Sequence, residues 1–405
     1  MKIVVAMDSF KDSLPAPRAC DVVAQAIASV TPSAEIIVKP MADGGEGTAE
    51  ALIAASSWRS RSRHGRPATA RFAETSAMTG TKPEPGGNGQ WIEKTVMGPL
   101  PDMQVGAGFA WFPSDKTAVV EMAAASGLPL LPLEERNPLK TTTYGTGQLI
   151  AAAIEHGAGR ILLAVGGSAT VDGGVGAATA LGWRFLDRKG REVGLGGGQL
   201  HLIDRIVPAT QPIRATVEVL CDVDNPLCGE HGAAKVYGPQ KGATEEMVQV
   251  LEKGLAHLAR VVHKQLGRDI ADVAGAGAAG GLAAGALTFM GARLVSGIDT
   301  VMAQSRLAEA LAGADWVITG EGRFDEQSLR GKVVAGVARL AKTSGSKVAV
   351  LAGQVLLESG EYQDLGIVEA MPCMNSRMPL QYAMQNSDRL LAETAKRFAQ
   401  RHLCG

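Results

Sequence analysis

Short apolar, β-branched runs recur along the chain, each followed by a glycine-rich polar loop and then an alanine-rich stretch with helical spacing. Ile3–Ala6 leads through Asp8-Ser9-Phe10-Lys11-Asp12-Ser13 into a helix opening near Pro15, where proline suits a first turn. Ile36–Val38 leads through Pro40-Met41-Ala42-Asp43-Gly44-Gly45-Glu46-Gly47 into a helix from about Thr48. Ile161–Val165 leads through Gly166-Gly167-Ser168-Ala169-Thr170-Val171-Asp172-Gly173-Gly174 into Val175–Leu181. Trp316–Ile318 leads through Thr319-Gly320-Glu321-Gly322-Arg323-Phe324-Asp325 into a helix near Lys332. Lys347–Leu351 closes the series before a final helical stretch of about Leu380–Gln400. Strands alternating with helices predict a parallel sheet and an α/β fold. Ligands of such sheets bind beyond the carboxyl ends of the strands, where these four loops fall.

One segment breaks the pattern. Residues 56–90 carry Arg59, Arg61, Arg63, Arg66 and Arg71, several prolines and Pro85-Gly86-Gly87-Asn88-Gly89, with no sustained period. This reads as a flexible, solvated basic insertion; an RNA- or partner-binding arm is the alternative. The chain as a whole is nearly neutral, with 40 Lys+Arg against 41 Asp+Glu, so no basic surface argues for a dedicated nucleic-acid binder. The five cysteines are odd in number and dispersed, without a C-x-x-C pair, which suits a reducing, cytoplasmic setting. The run from Val273 to Ala292 is uncharged but mostly Gly and Ala, which insert poorly into a bilayer, so no membrane partner is expected. Glycine is in excess, at 50 of 405 residues against the roughly 7% of average usage.

The loops hold the chemistry. Backbone N–H groups freed by glycine conformations, together with a helix N-terminus, form a site for phosphate or carboxylate in Gly166-Gly167-Ser168-Ala169-Thr170. Ser168 and Thr170 add hydroxyl donors, and Asp172 is either a catalytic or metal-binding carboxylate or a helix N-cap. The Asp43-Gly44-Gly45-Glu46-Gly47 loop has two acids where capping asks for one. Arg323, between Glu321 and Asp325, is either an anion clamp or half of an internal ion pair. Asp8, Ser9 and Lys11 complete the set, with Lys11 placed to neutralise phosphate or simply solvated. Phosphoryl transfer needs this inventory: anion-binding backbone, cations and acids to hold Mg²⁺. A P-loop is absent, since Gly331-Lys332 is followed by Val333. Gly275-x-Gly277-x-x-Gly280 formally fits a dinucleotide fingerprint but lacks a credible strand before it.

At these residues the chain resembles the bacterial glycerate kinases that convert D-glycerate to 2-phosphoglycerate with ATP. The matching stretches are Asp8-Ser9-Phe10-Lys11, Ala42–Thr48, Glu121–Leu128, Thr141–Gly147, Gly166–Thr170, Cys221–Leu227, Gly238–Ala243, Gly275–Gly281 and Thr319–Arg323, in order over nearly the whole length. The family usually has Pro where Met7 stands and Asn where Val171 stands. The resemblance implies a flavodoxin-like parallel-sheet domain (1–57 and 290–405) with a second α/β domain (58–289) inserted, and an active site in the interdomain cleft. It implies Mg²⁺ and two small-molecule substrates, ATP and D-glycerate, with homo-oligomerisation left open. On this reading Asp172 or Asp43 takes the substrate hydroxyl proton. Gly44, Gly45, Glu46, Gly166, Gly167, Ser168 and Thr170, with Asp8 and Ser9, bind substrate or phosphate. Lys11 and Arg323 neutralise anions, and Asp325 and Glu321 bind the metal. The rival readings are a nicotinamide-dependent oxidoreductase of small hydroxy acids and a non-catalytic glycerate- or nucleotide-binding regulator.

Overall fold

The computed structural model describes residues 1–57, 89–329 and 331–404, so most of the basic insertion lies outside the described residues. The chain divides into two compact units: residues 1–40, 53–90 and 305–405 in one, residues 41–52 and 91–304 in the other.

The first unit is built on a parallel sheet of five strands, in the spatial order Ile367–Pro372, Lys347–Ala352, Trp316–Gly320, Lys2–Met7, Glu35–Val38. Numbered along the chain, that is the 5-4-3-1-2 order of flavodoxin-like sheets, as the resemblance implies. The central strands Lys2–Met7 and Trp316–Gly320 are apolar and buried nearly throughout, as strands covered on both faces must be. Helices Ala16–Val30 and Ser387–His402 share a core with the sheet in which Val23, Ile27, Leu391 and Phe398 meet Ile3, Val5, Ile318 and Leu351.

The second unit carries six strands in the order Arg293–Val295, Thr216–Leu220, Arg160–Ala164, Thr117–Glu121, Gln104–Phe112, Gln90–Met97. Its first four run parallel, while Gln104–Phe112 returns antiparallel on Thr117–Glu121 through a tight turn. This sheet is therefore mixed, where the alternation of elements predicted a parallel one. The antiparallel hairpin was hidden because Gly106 and Gly108 dilute the apolar run of Gln104–Phe112. The long helix Glu245–Leu266 begins at Thr244, whose hydroxyl accepts the Met247 N–H at 3.3 Å, and ends at Gly267 with φ +65°. Among the described residues no helix is long and apolar enough to cross a membrane.

Candidate functional site

In the first unit the strand order reverses between Lys2–Met7 and Trp316–Gly320, the position where ligands of doubly wound sheets bind. The loops leaving both strands lie together there, joined by a 2.9 Å bond from the Asp8 N–H to the Gly320 carbonyl. Asp8 and Ser9 are half-buried, with the Ser9 N–H on the Asp8 carboxylate at 2.7 Å, and Lys11 is exposed. Arg323 is also exposed, and its Nε lies 3.0 Å from Asp325 Oδ2. The other Asp325 oxygen accepts the Gln327 N–H at 3.0 Å. The internal ion pair anticipated as one alternative for Arg323 is thus formed, between an exposed guanidinium and a half-buried carboxylate. Glu321 is half-buried in the same loop, and its carbonyl accepts the Gly353 N–H.

The second unit brings together the other two loops. A Cβ on Gly166 would fall 2.6 Å from the Gly45 Cα, so only glycine lets the loops at 43–47 and 166–170 approach so closely. Asp43 and Glu46 are exposed, Gly44 is buried, and the Gly45 N–H reaches Asp43 Oδ1 at 3.2 Å. Asp222, not singled out in the sequence, adjoins them: its carboxylate accepts the N–H groups of Gly297 and Ile298 at the start of helix Gly297–Gln304. Burial raises its pKa, and the Asp43 charge adds to the rise. In the other loop Gly167 is exposed, while Ser168 and Thr170 are buried.

Asp172 is 1% exposed and fully engaged. It accepts the Thr143 N–H at 2.8 Å, the Thr143 hydroxyl at 2.9 Å, the Gly174 N–H at 3.1 Å and the Gly176 N–H at 3.3 Å. Burial pushes its pKa up, against the pull of those bonds. Its oxygens clamp the 141–143 turn to the start of helix Val175–Ala180, and the Gly174 and Gly176 bonds are of the helix-capping kind anticipated as one alternative for Asp172.

Two further carboxylate or amine groups were missed by sequence reasoning. Glu121, at the end of its strand, accepts the Ala49 N–H at 2.6 Å and the Gly47 N–H at 3.2 Å, capping helix Thr48–Ser57 from across the fold. Lys241, 1% exposed, donates to Ser168 Oγ at 2.7 Å and to the Thr170 carbonyl at 2.8 Å. Its signal in the sequence was weak, since a lysine within Gly238-Pro239-Gln240-Lys241-Gly242 reads as a solvated turn residue.

The glycines at 275–281 form no nucleotide turn after a strand, because no strand precedes them. They are packing residues. A Cβ on Gly280 would lie 1.9 Å from the Thr170 carbonyl oxygen, so this turn supports the phosphate-type loop from behind.

A profile of the glycerate kinase family matches residues 3–81 and 85–403. The chain belongs to that family. It is 42% identical to the glycerate kinase of Bacillus subtilis over 98% of this chain and 97% of the relative. It is 42% identical to glycerate 2-kinase of Escherichia coli over 91% of this chain and 89% of the relative. A solved structure named for glycerate kinase 2 of Salmonella typhimurium LT2 superposes with a TM-score of 0.81 at 37% identity, covering 99% of this chain and 98% of that one. The two departures from the glycerate kinase pattern both lie in cores. Val171 is fully buried among Leu251, Leu255 and Val175, and Met7 packs among the strands of the first sheet. Asp172 has its partners without an amide at position 171.

Proposed function

We propose that this member of the glycerate kinase family transfers the terminal phosphoryl group of ATP to a hydroxyl of D-glycerate, giving 2-phosphoglycerate. The observation that carries the reading is the close approach of the glycine loop 166–170 to the acid-bearing loop 43–47, which sets a glycine backbone beside an exposed carboxylate. Family membership supplies the substrate.

Within the second unit, Asp43 takes the proton from the glycerate hydroxyl; it is exposed, whereas the oxygens of Asp172 are sealed by five donors. The Gly166, Gly167, Ser168 and Thr170 loop, with Gly44, Gly45 and Glu46 beside it, orients the phosphate-bearing substrate, and Asp172 holds that loop in shape. Within the first unit, Lys11 and Arg323 neutralise negative charge, with Asp8 and Ser9 setting the turn around Lys11. Among the described residues no three His, Cys, Asp or Glu side chains converge to hold a metal. A magnesium ion that arrives on nucleotide phosphates needs only one or two protein carboxylates, so the acids present fit that mode and not an all-protein cage. Asp325 and Glu321 are the residues that would hold it, and the ion supplies positive charge to the phosphates when bound.

The test is ADP release by the purified protein with Mg-ATP and D-glycerate, followed by ³¹P NMR of the product. A phosphomonoester on the 2-hydroxyl is expected. Absence of ADP, or a nicotinamide absorbance change in its place, would overturn the reading.

A further inference from the structure

The phosphate-type loop is held from below by a buried lysine that pairs with no carboxylate among the described residues. Lys241 lies in the turn after helix Ala233–Tyr237, is 1% exposed, and among the described residues its ammonium makes no ion pair. It uses two of its three N–H groups, on Ser168 Oγ and on the Thr170 carbonyl. Asp172 is the carboxylate whose field reaches it, but that carboxylate is committed to Thr143, Gly174 and Gly176. An isolated buried ammonium is unfavourable, and proteins keep one where something else offsets it. Two details say what that is. A lysine only donates, so Ser168 Oγ is the acceptor and its own proton is left to point elsewhere. The Thr170 hydroxyl is buried and, among the described residues, has no hydrogen-bond partner. Two buried hydroxyls and a cation that makes no ion pair among the described residues thus share one loop.

We propose that Lys241 is a positioning residue for phosphoryl transfer, fixing the Ser168 hydroxyl and the Thr170 peptide so that the loop's donors converge on the transferring anion, whose charge completes its own. The inference rests on the functional reading above. Burial lowers the ammonium's pKa to about 7, and a phosphate held by the loop would restore the preference for the charged form. Lys241 itself acts through Ser168 and the 166–170 backbone, so its removal degrades alignment more than substrate capture.

The experiment is steady-state ADP release with Mg-ATP and D-glycerate for the wild type, Lys241→Met, Lys241→Gln, Ser168→Ala and the Lys241→Met/Ser168→Ala double variant, with Tm measured for each. Methionine matches the lysine stem and removes a buried charge, so Lys241→Met is expected to keep or raise Tm at pH 7. Its kcat is expected to fall roughly 100-fold with KM for D-glycerate within about threefold. Lys241→Gln, which retains a donor to Ser168, is expected to recover about a tenth of wild-type kcat. The double variant should be no worse than about threefold below the weaker single, because both remove one shared arrangement. A Lys241→Met kcat within twofold of wild type, a loss carried wholly by KM, or additive losses in the double variant would each overturn the inference. If Lys241→Met does not fold, a Lys241→Gln enzyme with wild-type kcat overturns it instead. A wild type that releases no ADP defeats the functional reading and this inference with it, whereas an active wild type with an indifferent Lys241 defeats this inference alone.

Discussion

Gly267 and Gly280 have the same backbone conformation and opposite surroundings, which makes them a matched pair for measuring what packing behind the phosphate-type loop is worth. Both have φ +65°. A methyl group on Gly267 meets nothing within 4 Å, while one on Gly280 lies 1.9 Å from the Thr170 carbonyl oxygen and 2.7 Å from the Val171 Cα. Gly267→Ala therefore reports left-handed strain alone, about 1 kcal/mol. Gly280→Ala carries that strain plus a clash that ordinary contact, from 3.4 Å, can relieve only by moving the chains apart by about 1.5 Å. Such a shift strains the Lys241 bond to the Thr170 carbonyl and the Gly173 N–H bond to the Gly280 carbonyl. Overpacking of this kind adds about 1 to 3 kcal/mol, and loss of a hydrogen bond about 1 more. The expected destabilisation is about 3 to 5 kcal/mol for Gly280→Ala. Both residues belong to the second unit, so urea unfolding followed by tryptophan fluorescence compares like with like. Gly280→Ala should also lower kcat, since misplacement by about 1 Å costs roughly 100-fold, while Gly267→Ala should leave it unchanged. Equal destabilisation by the two alanines would refute the argument that the 275–281 turn buttresses the loop.

Other measurements probe separate parts of the fold. Because burial lowers the Lys241 pKa from 10.5 to about 7, the unfolded chain binds the extra proton between those values, so wild-type stability relative to Lys241→Met should rise with pH across that window. At about 1.4 kcal/mol per tenfold change in proton affinity the full span is at most about 5 kcal/mol, and a flat difference in urea midpoints from pH 6.5 to 10 would contradict it. Glu121→Ala leaves the Gly47 and Ala49 N–H groups without their acceptor and should cost about 1 to 3 kcal/mol in chemical denaturation, with Glu121→Gln milder because its amide oxygen still accepts. Asp43→Asn should reduce kcat at least 100-fold with Tm unchanged; retained turnover would remove Asp43 as the base.

Which parts could be read from the chain follows from how local their causes are. The strand Lys2–Met7 and the strand Trp316–Gly320 announce themselves as apolar runs ending in glycine-rich loops, and the structure places them within a residue or two of the predicted bounds. Val175–Ala180 and Lys347–Ala352 were legible for the same reason. The strand Thr216–Leu220 was not, because Glu218 interrupts its apolar pattern; that carboxylate is buried and paired with Arg160 and Arg293, partners 58 and 75 residues away. The same distance effect hid parts of the site. Lys241 is buried by contact with Ser168, 73 residues earlier, and the partners that turn Asp172 into a clamp begin at Thr143, 29 residues earlier. Loop chemistry was readable; which carboxylate is sealed and which is open depended on the folded neighbours.

The first sheet has a consequence for synthesis. Its strand Lys2–Met7 is the first to leave the ribosome, yet its partner Trp316–Gly320 pairs with it across more than 300 residues, Ile3 opposite Trp316. At 5–20 residues per second the wait is about 15–60 s. During it, an almost wholly apolar strand has only Glu35–Val38 to pair with, and two strands alone are marginal in water. The strands of the second unit emerge complete before residue 305, so that unit can close first while the beginning of the chain is still unfinished. The strand Lys2–Met7 is thus the part of this sheet most exposed to aggregation during synthesis, and it is where a chaperone would do most to raise the yield of native protein.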